Sequence, residues 1–189
     1  MKVTTILGSP RKKGNTAKAL EVFEAEMKSR GHKVKRVNLS DKTVKGCTGC
    51  FVCAKTPDAP GCPLKDDAQK IFDAMIGSDA LVYATPLYCW CFSGQMKILL
   101  DRHVSLVTGY GTASHKSLIE GRKAALLVTC EDKAEGNADL IQTVFDRMSG
   151  YTKVNITGKY IMPDCTTPEK VAAKAARTGR KMAVDFCRA

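Results

Sequence analysis

The sequence predicts the α/β class: one domain on a doubly wound, five-stranded parallel sheet with helices on both faces. Three observations carry this. Apolar runs of strand length alternate with helix-period segments along the whole chain. The run at 80–84 is continuously apolar, as in a central parallel strand covered on both faces. Near the N-terminus an apolar run breaks into a loop of glycine, hydroxyl and basic residues just before a helical pattern. At 189 residues the chain fits a single domain, 1–189, able to bury a substantial core.

The first strand is the run at 3–7, followed by Gly8-Ser9-Pro10-Arg11-Lys12-Lys13-Gly14-Asn15-Thr16. A helix starts near Asn15, shows one face through Leu20, Phe23 and Met27, and ends near Gly31. Residues 34–39 form a second strand, with Val37 and Leu39 alternating against polar neighbours. The segment 40–65 has no clear periodicity and carries four cysteines, a cysteine-rich insert after the second strand. Asp66-Asp67 caps a helix that runs through Ile71, Met75 and Ile76.

After the third strand at 80–84, residues 85–93 form a loop and 94–106 a helix, with Asp101-Arg102 as a structural pair on its face or at an interface. Residues 123–129 are a fourth strand and 130–136 a loop. Leu140, Ile141, Val144, Phe145 and Met148 mark the next helix. A fifth strand lies within 154–162, and a last helix follows Pro168. The pattern contains no internal repeat or linker.

The first loop describes a phosphate cradle. The helix start offers unpaired N–H groups and a positive dipole end. Ser9 and Thr16 add hydroxyls, Arg11 adds a permanent charge, and Gly8 and Gly14 allow a tight path. A Walker A loop is excluded: five residues separate Gly8 from Gly14, and Asn15 stands where lysine is needed. The dinucleotide pattern G-x-G-x-x-G is excluded too, since Pro10 occupies its second glycine. A loop of hydroxyls and cations suits a terminal monoester dianion, such as that of flavin mononucleotide (FMN).

In the strand order 2-1-3-4-5, ligands lie outside the carboxyl ends of strands one and three. That geometry brings the first loop together with Thr85-Pro86-Leu87-Tyr88-Cys89-Trp90-Cys91-Phe92-Ser93. Pro86, Tyr88, Trp90 and Phe92 offer a flat apolar surface for an isoalloxazine ring, and the loop amides offer donors.

Composition narrows the class further. The formal charge of +11 comes with no nucleic-acid motif and no aromatics interleaved with the basic residues. It reads as a solvated basic surface that attracts anionic cofactors or an acidic electron-transfer partner. No stretch is long and apolar enough to span a membrane, and the N-terminus reads as a strand with no signal-peptide pattern, so a cytoplasmic protein is expected. Nine cysteines there argue for metal, redox chemistry or burial over disulfides. His32, His103 and His115 show no ligand or triad spacing and read as surface or helix-end residues.

Cys47, Cys50 and Cys53 stand at two-residue gaps, and Cys62 follows after eight. Such spacing gathers thiolates onto one centre, with the fourth cysteine completing a Cys₄ set. Zinc, a dithiol of Cys50 and Cys53, or metal-free cysteines at an interface remain alternatives. Cys130, Cys165 and Cys187 read as small buried or partly buried residues.

These motifs in order, Gly8-Ser9-Pro10-Arg11, Gly14-Asn15-Thr16, Asp66-Asp67, Thr85-Pro86-Leu87-Tyr88, Gly94-Gln95-Met96-Lys97 and Asp101-Arg102, resemble the NADPH-dependent FMN reductase superfamily. More narrowly they resemble its iron–sulfur flavoproteins. The resemblance implies a flavodoxin-like fold and a homodimer or homotetramer. It implies FMN held by Ser9, Arg11, Gly14, Asn15 and Thr16 at the phosphate and by Pro86, Leu87, Tyr88, Cys89 and Trp90 at the ring. Thr129, Asp132 and Gly136 would close the ring's other side. It further implies a [4Fe–4S] cluster on Cys47, Cys50, Cys53 and Cys62, although the family's last gap is typically shorter. The expected activity moves electrons from NAD(P)H or a ferredoxin-like donor to a small acceptor such as a quinone, free flavin or oxygen species. The rivals are a phosphate-binding module with structural zinc and a simple flavodoxin-like electron carrier.

Overall fold

The computed structural model describes residues 1–56, 58–166 and 168–188, with 168–170 described by their backbone alone. The chain runs β1 (Lys2–Leu7), α1 (Asn15–Ser29), β2 (Lys33–Asn38), α2 (Ala68–Ile76), β3 (Ala80–Pro86) and α3 (Gly94–Asp101). It continues through β4 (Val107–Thr108), β5 (Lys116–Ser117), β6 (Lys123–Thr129), α4 (Asp139–Thr152), β7 (Asn155–Met162) and α5 (Pro168–Arg188). The main sheet has the order β2-β1-β3-β6-β7 with every pair parallel. Counting long strands only, this is the expected order 2-1-3-4-5, the flavodoxin-like arrangement.

Strand alternation splits the core into two layers. Ile6, Leu81, Tyr83, Leu126 and Val128 face α2, α3 and α4, where Phe72, Leu99 and Phe145 pack. Val3, Leu7, Val82, Ala84 and Leu127 face α1 and α5, where Leu20, Phe23, Met182 and Phe186 pack. The Phe23 and Phe186 rings lie 5.2 Å apart. Gly179 lets α5 approach α1 closely: a Cβ there would stand 2.7 Å from the Phe23 backbone nitrogen. Among the described residues, no helix is long and apolar enough to cross a membrane.

Three local expectations need correction. The helix expected at 94–106 ends at Asp101 and tightens into a 3₁₀ turn over Arg102–Leu106. The chain then forms a two-residue antiparallel hairpin, β4 with β5, too short to leave a period in the sequence. At the start of α2, Asp66 rather than Asp67 caps: its Oδ1 accepts from the Ala68 N–H at 2.9 Å. Asp67 instead accepts from the Thr43 N–H, also at 2.9 Å, tying the end of the cysteine insert to its beginning.

Candidate functional site

The ends of β1, β3 and β6 open onto one crevice whose loops are held together by short polar links. Ser93 donates from Oγ to the Gly8 carbonyl at 2.5 Å and accepts from the Met96 N–H, joining the first loop to the start of α3. Gly8 has no room for a side chain, since a Cβ would meet the Met96 Cβ at 2.8 Å. Leu87 N–H donates to the Thr129 carbonyl at 2.9 Å, and Cys165 N–H to the Cys130 carbonyl at 3.0 Å. Each loop is thus fixed to the next, which pre-organises the walls before any ligand arrives.

One part of the crevice, about 210 Å³, is lined by Ser9, Arg11, Asn15 and Thr16 on one side and by Pro86, Leu87 and Tyr88 on another. Thr129, Cys130, Glu131 and Cys165 complete it. Thr16 and Thr129 share a hydroxyl hydrogen bond of 2.6 Å across its floor. Ser9 Oγ accepts from the Arg11 N–H at 3.1 Å, and Asn15 donates to the Cys165 carbonyl at 3.0 Å. Gly14 supplies no capping side chain at the start of α1, so the helix end stays available to an anion.

The adjoining space, about 340 Å³, is lined by Leu87, Cys89 and Trp90 facing Cys130, Glu131, Asp132 and Asn137. Its outer wall is a two-residue turn in which Tyr88 and Cys91 exchange backbone hydrogen bonds of 3.1 and 3.0 Å. Cys89 and Trp90 take φ values of 46° and 59°, the positive pair that a type I′ turn requires. Glycine and asparagine normally fill such positions. Holding cysteine and tryptophan there costs about 1–2 kcal/mol per residue, and it turns Trp90 outward, 57% exposed. Strain of this kind gathers at ligand clamps.

The structure therefore brings together Ser9, Arg11, Asn15, Thr16, Pro86, Leu87, Tyr88, Cys89, Trp90, Thr129 and Asp132. Gly14 and Gly136 line neither space; Gly136 serves a turn, at φ 67°. Phe92 is not part of the flat surface, because it is buried in the core beside α3. Cys165 is a crevice residue that no local pattern announced. Burial pushes the Cys130 thiol up to about 11 and the Cys165 thiol upward as well, so both stay protonated at neutral pH.

A second cavity, about 130 Å³, sits in the insert and is lined by all four expected cysteines, Cys47, Cys50, Cys53 and Cys62. Their positions come from a left-handed pair, Gly49 and Phe51, and a 3₁₀ turn at Val52–Lys55. The Val52 N–H and the Thr48 hydroxyl hold the Cys50 thiol below its ordinary pKa. Burial raises that of Cys53. Among the described residues, no three His, Cys, Asp or Glu side chains are close enough to hold a single ion. The thiols surround a space rather than a point.

Arg102 also lines this cavity, and it is neither a helix-face pair with Asp101 nor exposed at an interface. Asp101 pairs with Lys97, while Arg102 crosses to Asp66 at 2.8 Å, both side chains 1% exposed. Burial works against the Asp66 carboxylate, but the bonds from Arg102 and from the Lys45 and Ala68 N–H groups outweigh it and hold its pKa low. His103 needs a correction too. It is fully buried against the Phe72 and Tyr83 rings, and burial pushes its pKa down to about 4.

Comparison with known proteins adds a family and a set of relatives. The pattern of the NADPH-dependent FMN reductase family matches residues 1–145. An iron-sulfur flavoprotein of Archaeoglobus fulgidus is 34% identical over 128 residues, 68% of this chain and 54% of the relative. An iron-sulfur flavoprotein of Methanocaldococcus jannaschii is 30% identical over 146 residues, 77% of this chain and 70% of the relative. The chain spans about half the length of the first of these. Among solved structures, an NAD(P)H:quinone oxidoreductase from Methanothermobacter marburgensis superposes with a TM-score of 0.76 at 21% identity, covering 97% of this chain and 96% of the other. That likeness shows the shared fold.

Proposed function

Because the chain belongs to the NADPH-dependent FMN reductase family, we propose that it is an FMN-dependent oxidoreductase with an iron–sulfur centre in its cysteine insert. Its electrons come from NAD(P)H or a reduced ferredoxin-like protein and pass to a small acceptor such as a quinone, free flavin or oxygen species. A homodimer or homotetramer is the expected assembly. The observation that carries the reading is the single crevice in which a hydroxyl- and cation-bearing loop faces a strained, tryptophan-bearing turn.

The residues fit FMN. The uncapped start of α1, exposed Arg11 and the amide of Asn15 are donors for a phosphate dianion. Ser9 shapes the loop, and the Thr16–Thr129 bond closes the floor beneath it. Pro86, Leu87 and Tyr88 would flank the ring, Cys89 and Trp90 would present its stacking wall, and Asp132 would stand at the opposite rim.

The insert fits an iron–sulfur cluster. Four thiols surround a cavity instead of converging on one ion, and a buried guanidinium stands in its wall. Cys47, Cys50, Cys53 and Cys62 would hold it, with Asp66 and Asp67 tying the neck of the insert. When bound, the flavin supplies one- and two-electron chemistry and the cluster one-electron chemistry. The protein's part is to bind, orient and set the electrostatics of both.

The test is the ultraviolet–visible spectrum of anaerobically purified protein, with FMN, iron and acid-labile sulfide measured on the same sample. A flavin spectrum with broad iron–sulfur absorption and about four irons per chain supports the reading. Flavin without iron, even after anaerobic reconstitution, removes the cluster. A colourless protein that binds no added FMN and carries stoichiometric zinc replaces the reading with a phosphate-binding module.

A further inference from the structure

The cysteine cavity has one cation in its wall among the described residues, Arg102, and that cation is walled off from water. Its Nη1 carries bonds to the Asp66 carboxylate at 2.8 Å and to the Lys45 carbonyl at 2.9 Å. Its Nε is buried with no hydrogen-bond partner among the described residues. Cys62 lines the same cavity as this guanidinium. Lys45 N–H returns a bond to Asp66 at 2.9 Å, so the pair grips both ends of the insert.

A grip alone does not account for this arrangement. A buried ion pair is costly to desolvate, and apolar residues of similar volume commonly hold a fold as well. An unpartnered N–H on a charged group is costlier still. Both features make sense beside an anion. Four thiolates around an iron–sulfide core are such an anion, and its potential depends on local charge and on hydrogen bonds to the sulfurs.

We propose that Arg102 is the charge-compensating positioning residue of the cysteine site, donating to the cluster-bearing sulfurs and raising the reduction potential of the centre they hold. Asp66 orients the guanidinium and stands behind it, outside the cavity wall. This rests on the iron–sulfur reading of the insert.

The test compares the full-length, anaerobically reconstituted protein with R102K and R102M, reading FMN content, iron and sulfide, and the midpoint potential of the cluster. R102K keeps the charge and holds a midpoint near wild type. R102M keeps FMN, loses iron faster to a chelator, and shifts the midpoint negative by tenfold or more in the one-electron equilibrium, about 59 mV. R102M strands the buried Asp66 carboxylate, so R102M/D66N serves where R102M fails to retain FMN, with a smaller negative shift expected because the more distant carboxylate charge is removed as well. A midpoint unchanged in both neutral variants overturns the proposal, because a purely structural role would change cluster content without moving the potential. Wild-type protein that takes up no iron overturns the cluster reading itself, and shows this before any variant is made.

Discussion

Replacing Trp90 with glycine separates a ligand-stacking role from a packing role. The side chain is 57% exposed, so folding removes less than half of its surface from water. Taking roughly 80 Å² buried at about 25 cal/mol per Å², its loss costs about 2 kcal/mol as an upper value. Relief of the φ of 59° returns about 1–2 kcal/mol, offset in part by about 0.5–1 kcal/mol for the greater unfolded-state freedom of glycine. The FMN-free variant should therefore lose between about 0.5 and 2 kcal/mol in urea unfolding. Aromatic stacking on a planar base is worth about 1–3 kcal/mol, so FMN affinity should fall by about five- to 150-fold. Trp90 is the only tryptophan in the chain. Its fluorescence should be quenched when FMN is titrated into the wild type, which gives a direct measure of proximity. Unquenched wild-type fluorescence, or a W90G variant that loses well over about 2 kcal/mol while binding FMN normally, would refute the reasoning.

Other perturbations follow from the same contacts. His103 has a folded pKa of about 4 against an unfolded value near 6.5, so between those pH values only the unfolded chain binds the proton. Stability should fall as pH drops through this window, by about 2 kcal/mol at pH 5; H103F, packed against Phe72 and Tyr83, should flatten that dependence in urea unfolding at pH 5 and 7.5. Gly8→Ala places a Cβ 2.8 Å from the Met96 Cβ and 3.0 Å from Ser93 Oγ, and should cost about 1–3 kcal/mol while weakening FMN binding in a fluorescence titration. Glu24 accepts from the buried Thr5 hydroxyl and from Arg36 Nε at 2.9 Å. Glu24→Ala leaves both donors without it and should cost about 2 kcal/mol by thermal unfolding, with FMN affinity unchanged.

The fold was legible because central parallel strands and their covering helices leave strong periods. The expected fourth strand, 123–129, is β6 at full length, and the helix starting near Asn15 is α1. The crevice was legible for a related reason: a doubly wound sheet places its first and third loops at one edge, so two short motifs name one site. Phe92 went the other way. Aromatics in a loop look alike in sequence, and only the turn at Cys89 and Trp90 sends Trp90 out while the chain carries Phe92 into the core.

By itself the sequence determined the α/β class, the two candidate ligand loops and the cysteine spacing, because each is local or follows from a repeated pattern; the strand order was implied by the family resemblance and is seen in the sheet itself. Only the tertiary structure decided which charged and polar side chains lie buried and what they meet. Arg102 finds Asp66 across 36 residues, Asn15 finds the Cys165 carbonyl across 150, and His103 is enclosed by rings from α2 and β3. Their neighbours in sequence do not set those environments. They depend on where distant segments return, and desolvation then decides which groups are paired, which stay neutral, and which stand ready for a ligand.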